Sequence, residues 1–393
     1  MVCWIDVNHR EQDDIIALLE KPFPILTDLE LSGPTGSAAN WPFDPDLSKL
    51  LGGSAQLRSV TLSDMDEIPN LLDILLSTSN LVILQLDHSG DFLPDEVVPV
   101  LSTLTRLEKL DLQITPSYSR RFKGPYLPPL TRSTLPSLTE LEVGGDTGYV
   151  EDFMAHIDTP LLDCLLISLS FSPLGGLVFL DTPQLHRFIS RIPKLQAPAE
   201  AHIEPVKMLT AFSDDPGTLM IFFYFSKQIF FRVLGLKVYC ASPAWDFPCL
   251  AHFCRSAPFP LHPLKSLYIG LSELSKNLHI MKSTYLWLKF LGPFTAVKNL
   301  YLTKEFTLHV AHALQELVGE RVMEVLPILE NVLIEEFQPS GPVHEVINEF
   351  VATRQLAGHL ITISYLDIET LSERFSNEYS KYSSFQASLH YFY

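Results

Sequence analysis

The segment CLAHFC (249–254) sets Cys249, His252 and Cys254 close together, with Cys240 and His262 nearby. All are residue types that ligate zinc. A closed structural site takes four ligands in a tetrahedron, and this spacing matches none of the paired patterns that deliver them. The expectation is core cysteines and a loop histidine, with no metal and no cofactor. Glu140 and Glu142 stand two apart in LTELEV and invite an acid/base reading. Carboxylates that cleave a glycosidic bond flank it across a cleft, whereas neighbours on one strand face point the same way. SGPTGSAAN (32–40) lacks the G-K-[ST] ending that brings a lysine to phosphate, and no G-x-S-x-G elbow occurs. These residues give no catalytic assignment, and the chain is expected not to be an enzyme.

The elements that would carry such residues are built on one recurring phrase. LTRLEKLDLQI (104–114) contains L-x-x-L-x-L at Leu107, Leu110 and Leu112. Variants open at Leu26, Leu57, Leu81, Leu138, Leu162, Leu264, Val297 and Leu329, with weaker candidates at Leu195 and Phe231. The steps are roughly 24–36 residues, inside the range of about 20–50 that marks stacked-unit architectures. The L-x-L alternation is the period of a strand with one face inward. Helical patterns fill the intervals: 67–79, 95–106, 150–157, 183–192, 308–327 and 342–356. One such unit cannot bury its own apolar face, so units must stack. Right-handed crossovers then predict an α/β solenoid with a curved parallel sheet on its concave face and helices on its convex face. The predicted organisation is a short N-terminal remnant or cap over 1–20, a single solenoid over 21–365 with a weaker section at 196–260, and a C-terminal cap or tail over 366–393.

Composition limits the partners. Lys and Arg number 28 against 46 Asp and Glu, a net charge of −18, and no basic patch interrupts it. Such a surface repels phosphate backbones and anionic membranes, which argues against nucleic-acid and membrane partners. The apolar stretch 217–240 is divided by Lys227, Gln228, Arg232 and Lys237 into pieces too short to cross a bilayer as a helix. It reads instead as a strand interrupting the repeat. Five scattered cysteines without a signal peptide fit reduced thiols and an intracellular, cytoplasmic or nuclear location.

In L-x-x-L-x-L the later two apolar residues face the core, so their strand neighbours face outward. The first half thereby presents Asp28, Glu30, Asp87, Lys109, Asp111, Glu140 and Glu142, acidic with one basic exception. The last repeats present Tyr268, Asn299, Tyr301, Asn331 and Glu335. The expected partner is a protein that brings a basic patch to the first set and an apolar or aromatic anchor to the tyrosines.

LLEKPFPILTDLELSG, WLKFLGPFTAVKNLYL, ALQELVGERVMEVLPILENVLIEEFQPSGPV and FVATRQLAGHLITIS resemble the leucine-rich-repeat region of fungal F-box proteins, over roughly residues 17–365. The resemblance implies a substrate receptor whose repeats hold a target protein. A helical F-box in that family binds the Skp adaptor of a cullin-containing ubiquitin ligase. The segment preceding Leu26 is shorter than an F-box. The expectation is therefore either a fragment or truncated product of a longer chain whose F-box would bind Skp and a cullin, or a chain that keeps the repeats as a scaffold or inhibitor without the adaptor contact.

Overall fold

Six of the phrases fold into strands entered by the same turn. The computed structural model describes residues 2–6, 25–32, 56–63, 71–87, 92–114, 132–171, 187, 188, 191, 206–212, 218–227, 230–240, 264–271, 283–317, 319–335 and 342–366; the phrase at Leu195 lies outside them. The phrase-opening residue donates its N–H to the carbonyl three positions back: Leu81 to Thr78, Leu107 to Leu104, Leu138 to Leu135, Leu162 to Thr159, Val297 to Phe294 and Leu329 to Leu326. All six acceptor residues are buried. One carbonyl then starts each ladder by accepting two N–H groups from the next strand. Thr27 accepts from Arg58 and Ser59, Arg58 from Val82 and Ile83, Val82 from Glu108 and Lys109, and Glu108 from Thr139 and Glu140. Because this turn uses backbone groups, the interval between strands varies while the entry into each strand does not.

The chain divides into two compact units, Met1–Ser172 with Thr182–Ala201, and Pro173–Asp181 with His202–Tyr393. In the first, β1 (Val2–Asp6), β2 (Asp28–Ser32), β3 (Ser59–Ser63), β4 (Ile83–Asp87), β5 (Lys109–Gln113), β7 (Glu140–Asp146) and β9 (Cys164–Phe171) form one parallel ladder. A two-stranded side sheet joins β6 (Ser133–Thr134) to β8 (Ile157–Asp158). Register aligns the inward residues into two rows. Leu29, Val60, Leu84, Leu110, Leu141 and Leu165 form one, and Leu31, Leu62, Leu86, Leu112, Val143 and Ile167 the other. Every member is at most 2% exposed. Burying one such side chain contributes about 1.5–3 kcal/mol, so the two rows are the main favourable term holding the layers together.

Among the described residues three helices lie between these strands: α1 (Leu71–Leu76), α2 (Pro94–Thr103) and α3 (Thr147–His156). Pro94 opens α2, where its missing N–H costs nothing, and Glu96 Oε2 accepts from Leu93 N–H at 3.2 Å. Asp146 caps α3 by accepting from Tyr149 N–H at 3.0 Å.

The second unit departs from the expected pattern. Its parallel ladder runs through β10 (Val206–Phe212), β13 (Leu264–Leu271), β14 (Asn299–Leu302), β15 (Asn331–Glu335) and β16 (Thr362–Leu366). However, β11 (Thr218–Lys227) pairs antiparallel with both β10 and β12 (Phe230–Cys240). The phrase at Phe231 is thus a strand, and it pairs antiparallel with β11 in a hairpin. The divided apolar stretch 217–240 supplies that hairpin, and no described helix is long and apolar enough to cross a membrane.

Among the described residues this unit's helices are α4 (Thr284–Leu291), α5 (Lys304–Gln315) and α6 (Pro342–Leu356). Trp287 packs edge-on to Phe290 and Phe306, and Phe290 to Phe294, all four fully buried. The apolar spacing predicts one helix over 308–327. The chain instead leaves α5 at Gln315 and makes a tight helical turn over Gly319–Met323, where Gly319 takes φ +61°. An L-residue is strained in that conformation. The fold class is the expected α/β leucine-rich-repeat type, interrupted in the second unit by an antiparallel hairpin.

Candidate functional site

The strand face opposite the helices carries the sequence-predicted residues, and register assigns each to a row. In the first unit one row reads Asp28, Ser59, Ile83, Lys109, Glu140, Cys164. The next reads Glu30, Thr61, Gln85, Asp111, Glu142, Leu166, and the third Ser32, Ser63, Asp87, Gln113, Gly144, Ser168. Glu30 is exposed; Asp28, Asp87, Lys109, Asp111, Glu140 and Glu142 are half-buried.

Neighbouring side chains reduce the charge of this face. Lys109 Nζ lies 3.7 Å from Glu140 Oε2, a partly exposed pair that contributes little to stability but offsets one carboxylate. Thr61 Oγ1 donates to Gln85 Oε1 at 3.0 Å, and Gln113 Nε2 donates to Asp111 Oδ1 at 3.0 Å. Burial pushes the Asp111 carboxyl up to about 6, with the Asp87 charge adding to it; the Gln113 bond, Lys109 and Gln85 oppose the shift. At neutral pH Asp111 is ionised but close to taking up a proton.

Gly144 makes the Gln113 contact possible. A Cβ at that position would collide with the Gln113 amide and press on Ser168 Cβ at 3.1 Å. The strand pattern points to the carboxylates but not to Gln113 and Gly144. A signal was present, since the phrase continues as L-x-L-Q in Leu110–Gln113, and LEVGG places glycine at the facing register position.

At the end of this face lies Cys164, whose thiol is pushed up to about 12 by burial, and then by the Glu140 and Glu142 charges. It is a protonated, inert thiol at neutral pH. The metal-type cluster at Cys249, His252, Cys254 and His262 lies outside the described residues. Among the described residues no group of three or more His, Cys, Asp or Glu is placed to hold a metal ion. Glu140 and Glu142 share one strand face, as their spacing implies.

The second unit's face is different in chemistry. One row reads Lys207, Ser266, Asn299, Asn331, Thr362, and the next Leu209, Tyr268, Tyr301, Leu333, Ser364, with Glu335 beside Leu366. Asn331 Nδ2 donates to Asn299 Oδ1 at 2.8 Å, and Asn299 Nδ2 donates to Ser266 Oγ at 3.1 Å. The two amides therefore bond along the sheet, each with a second N–H remaining for another acceptor. Tyr268 and Tyr301 are register partners, and the Tyr301 side chain is half-buried.

No protein-family model matches the chain, and a search of curated proteins returned no match. Among solved structures, the chain is similar to the leucine-rich-repeat-containing protein LegL7 from Legionella pneumophila, at 13% identity over 89% of this chain and 97% of that one, with a TM-score of 0.34. It is also similar to a protein from Bacteroides fragilis, at 12% identity over 92% of this chain and 73% of that one, with a TM-score of 0.33. With scores this low, the fold class rests on the ladder registers described above.

Proposed function

We propose that the chain is a non-catalytic protein-binding scaffold that uses its outward strand faces to recognise a partner. The observation that carries this reading is the in-register row Glu30, Asp111, Glu142 on the first unit, bordered by Asp28, Asp87 and Glu140. A flat array of carboxylates on rigid strands suits a basic patch on a folded protein or an extended basic segment, and it speeds encounter more than it adds affinity. The second unit's Tyr268, Tyr301, Asn299, Asn331 and Glu335 suit a less charged contact. Tyrosine supplies a large apolar area there, and the amide row supplies hydrogen bonds.

The resemblance to fungal F-box proteins supports a narrower form of the same reading, a substrate receptor working with the Skp adaptor and a cullin. Capture from a cell extract with the whole chain, beside a Glu30→Lys, Glu140→Lys variant, tests the face. Both residues reach solvent, so the variant is expected to keep its fold and lose its partners; an unchanged partner set overturns the assignment to this face. Purified Skp adaptor tests the narrower form, and absence of binding removes it while leaving the scaffold reading intact.

A further inference from the structure

The antiparallel hairpin changes the outward face of the second unit. Met208 and Thr210 of β10 stand in register with the buried Leu267 and Ile269, so Lys207, Leu209 and Ala211 take the alternate, outward positions. β11 pairs Tyr224, Phe222 and Met220 with those three, and β12 in turn pairs Val233, Gly235 and Lys237 with β11. One outward row therefore runs Phe222, Leu209, Tyr268, Tyr301, Leu333 across five neighbouring strands, between Gly235 on β12 and Ser364 on β16. At a strand spacing of about 4.8 Å the row is roughly 19 Å long. The corresponding row of the first unit is polar from Glu30 through Thr61, Gln85 and Asp111 to Glu142. A continuous apolar row on an outward face is the signature of a surface made for a partner.

Two features define what fits along this row. On one side runs the amide chain from Asn331 through Asn299 to the buried Ser266, and each amide keeps a second N–H. A partner helix has satisfied its own backbone carbonyls, whereas an extended segment brings one at every residue. The second feature is charge. Lys207 and Lys237 stand on either side of the apolar row at its hairpin end, and Glu335 stands beside it toward the other end. In a chain of net charge −18, whose first unit turns carboxylates outward, the hairpin end attracts an acidic group where the rest of the surface repels one.

We infer that this row binds an extended peptide segment of a partner protein, apolar at alternate residues and carrying a carboxylate at the end nearest the hairpin. The inference rests on the scaffold reading above and gives the second face a ligand chemistry opposite in charge to that of the first. About six extended residues span the row, so three alternate side chains lie along it while the carbonyls between them run beside the amides. The main-chain bonds supply affinity without regard to sequence; the alternate apolar side chains and the terminal carboxylate supply the selection.

Selection of random dodecapeptides on the full chain tests this inference, followed by binding of the enriched peptides to two variants. Tyr301→Ser, Leu333→Ser breaks the apolar row at two half-buried positions. Lys207→Glu, Lys237→Glu reverses the charge by exchanging one polar residue for another. The wild type is expected to enrich peptides with apolar residues at every second position and an Asp or Glu at one end. Such a peptide should bind each variant about tenfold more weakly, a loss typical of a central contact, and bind the Glu30→Lys, Glu140→Lys chain as tightly as the wild type. Remade with an amide in place of its carboxylate, it should no longer distinguish the wild type from Lys207→Glu, Lys237→Glu. Apolar residues at three- and four-residue steps would make the occupant a helix and overturn the inference. Basic peptides lost with Glu30→Lys, Glu140→Lys, or no enrichment at all, would overturn it too. None of these results decides the scaffold reading, which the capture from extract tests separately.

Discussion

The two units solve the same packing problem with different materials. In the first, six successive parallel layers repeat a pair of Leu, Val or Ile in the same register, and the outward face is charged. In the second, the aliphatic rows are supplemented by the Trp287, Phe290, Phe294 and Phe306 cluster and by a buried arginine, and the outward face carries amides and tyrosines. Stability should therefore be spread evenly over the first unit and concentrated at a few groups in the second. Arg354 shows why. It is fully buried, and its guanidinium donates to the carbonyls of Leu326 at 3.2 Å and Pro327 at 3.4 Å and to that of Val325 at 2.5 Å, with Phe350 beneath it at 5.2 Å. Leu326 holds φ +49°, a left-handed conformation that costs an L-residue about 1–2 kcal/mol. The arginine binds the turn that this strain creates.

The largest expected effect is at that arginine. Arg354→Ala removes the donors from the carbonyls of 325–327 and leaves a cavity, and it should cost about 3–5 kcal/mol in urea unfolding. Arg354→Lys should recover little, because one ammonium cannot reproduce the planar fork. Burial pushes the guanidinium down only to about 10, so it stays charged at neutral pH and its loss is a loss of donors as well as volume. A cost below about 1 kcal/mol would break the view that this unit concentrates its stability.

The next effect tests the even spread. Leu84→Ala and Leu110→Ala occupy the same row of neighbouring layers, both fully buried. Each should cost about 2–5 kcal/mol, and the two values should agree within about 1 kcal/mol. A wide disparity would mean that the layers, despite their shared register, are not equivalent.

How much of this was legible beforehand follows from what each feature asks of a side chain. The inward rows were readable because an apolar residue must recur at period two wherever a strand has one buried face. α6 was readable over its whole length. The turn three residues before each phrase was not, because a backbone bond accepts Thr78, Leu104, Leu135, Thr159, Phe294 or Leu326 equally. α4 was missed because TYLWLKFL shows no clear polar stripe to set a period. The hairpin was missed because the alternation in β12 specifies a strand without its direction. Among the site residues, the carboxylates were legible as outward neighbours of leucines. The amide bonds from Asn331 through Asn299 to Ser266, and the Gln113 contact that Gly144 permits, depend on cross-strand register, which no single stretch of sequence shows.

A smaller effect separates the two faces by pH. Asp111 has a folded value of about 6 against an ordinary 3.8, raised first by burial. The folded chain binds this proton more tightly than the unfolded chain, so the stability linked to it is fully present below pH 3.8 and is lost as pH rises through about 6. Asp111→Asn should therefore raise stability at neutral pH by on the order of 2 kcal/mol and flatten the unfolding midpoint between pH 4 and 6. The amide can still accept from Gln113. An unchanged pH profile would show that another group sets it.

The smallest effect on neutral-pH stability is expected at Cys164, where the first unit's charged face reaches a thiol. Its folded value of about 12, against an ordinary 9.0, comes from burial and then from the Glu140 and Glu142 charges. Only the thiolate reacts with an alkylating agent, so at pH 8 the native chain should label at Cys164 roughly a thousandfold more slowly than the urea-unfolded chain. Peptide mapping resolves this site from the other four cysteines. The linked stability is complete below pH 9.0 and falls as pH rises from there toward about 12, because the unfolded chain loses its proton first. Glu142→Gln removes one of the two charges without exposing the sulfur, so it should speed native labelling only severalfold. A change as large as that on unfolding would make the carboxylates, rather than burial, the dominant cause, and would extend the electrostatic influence of the acidic rows to the end of the face.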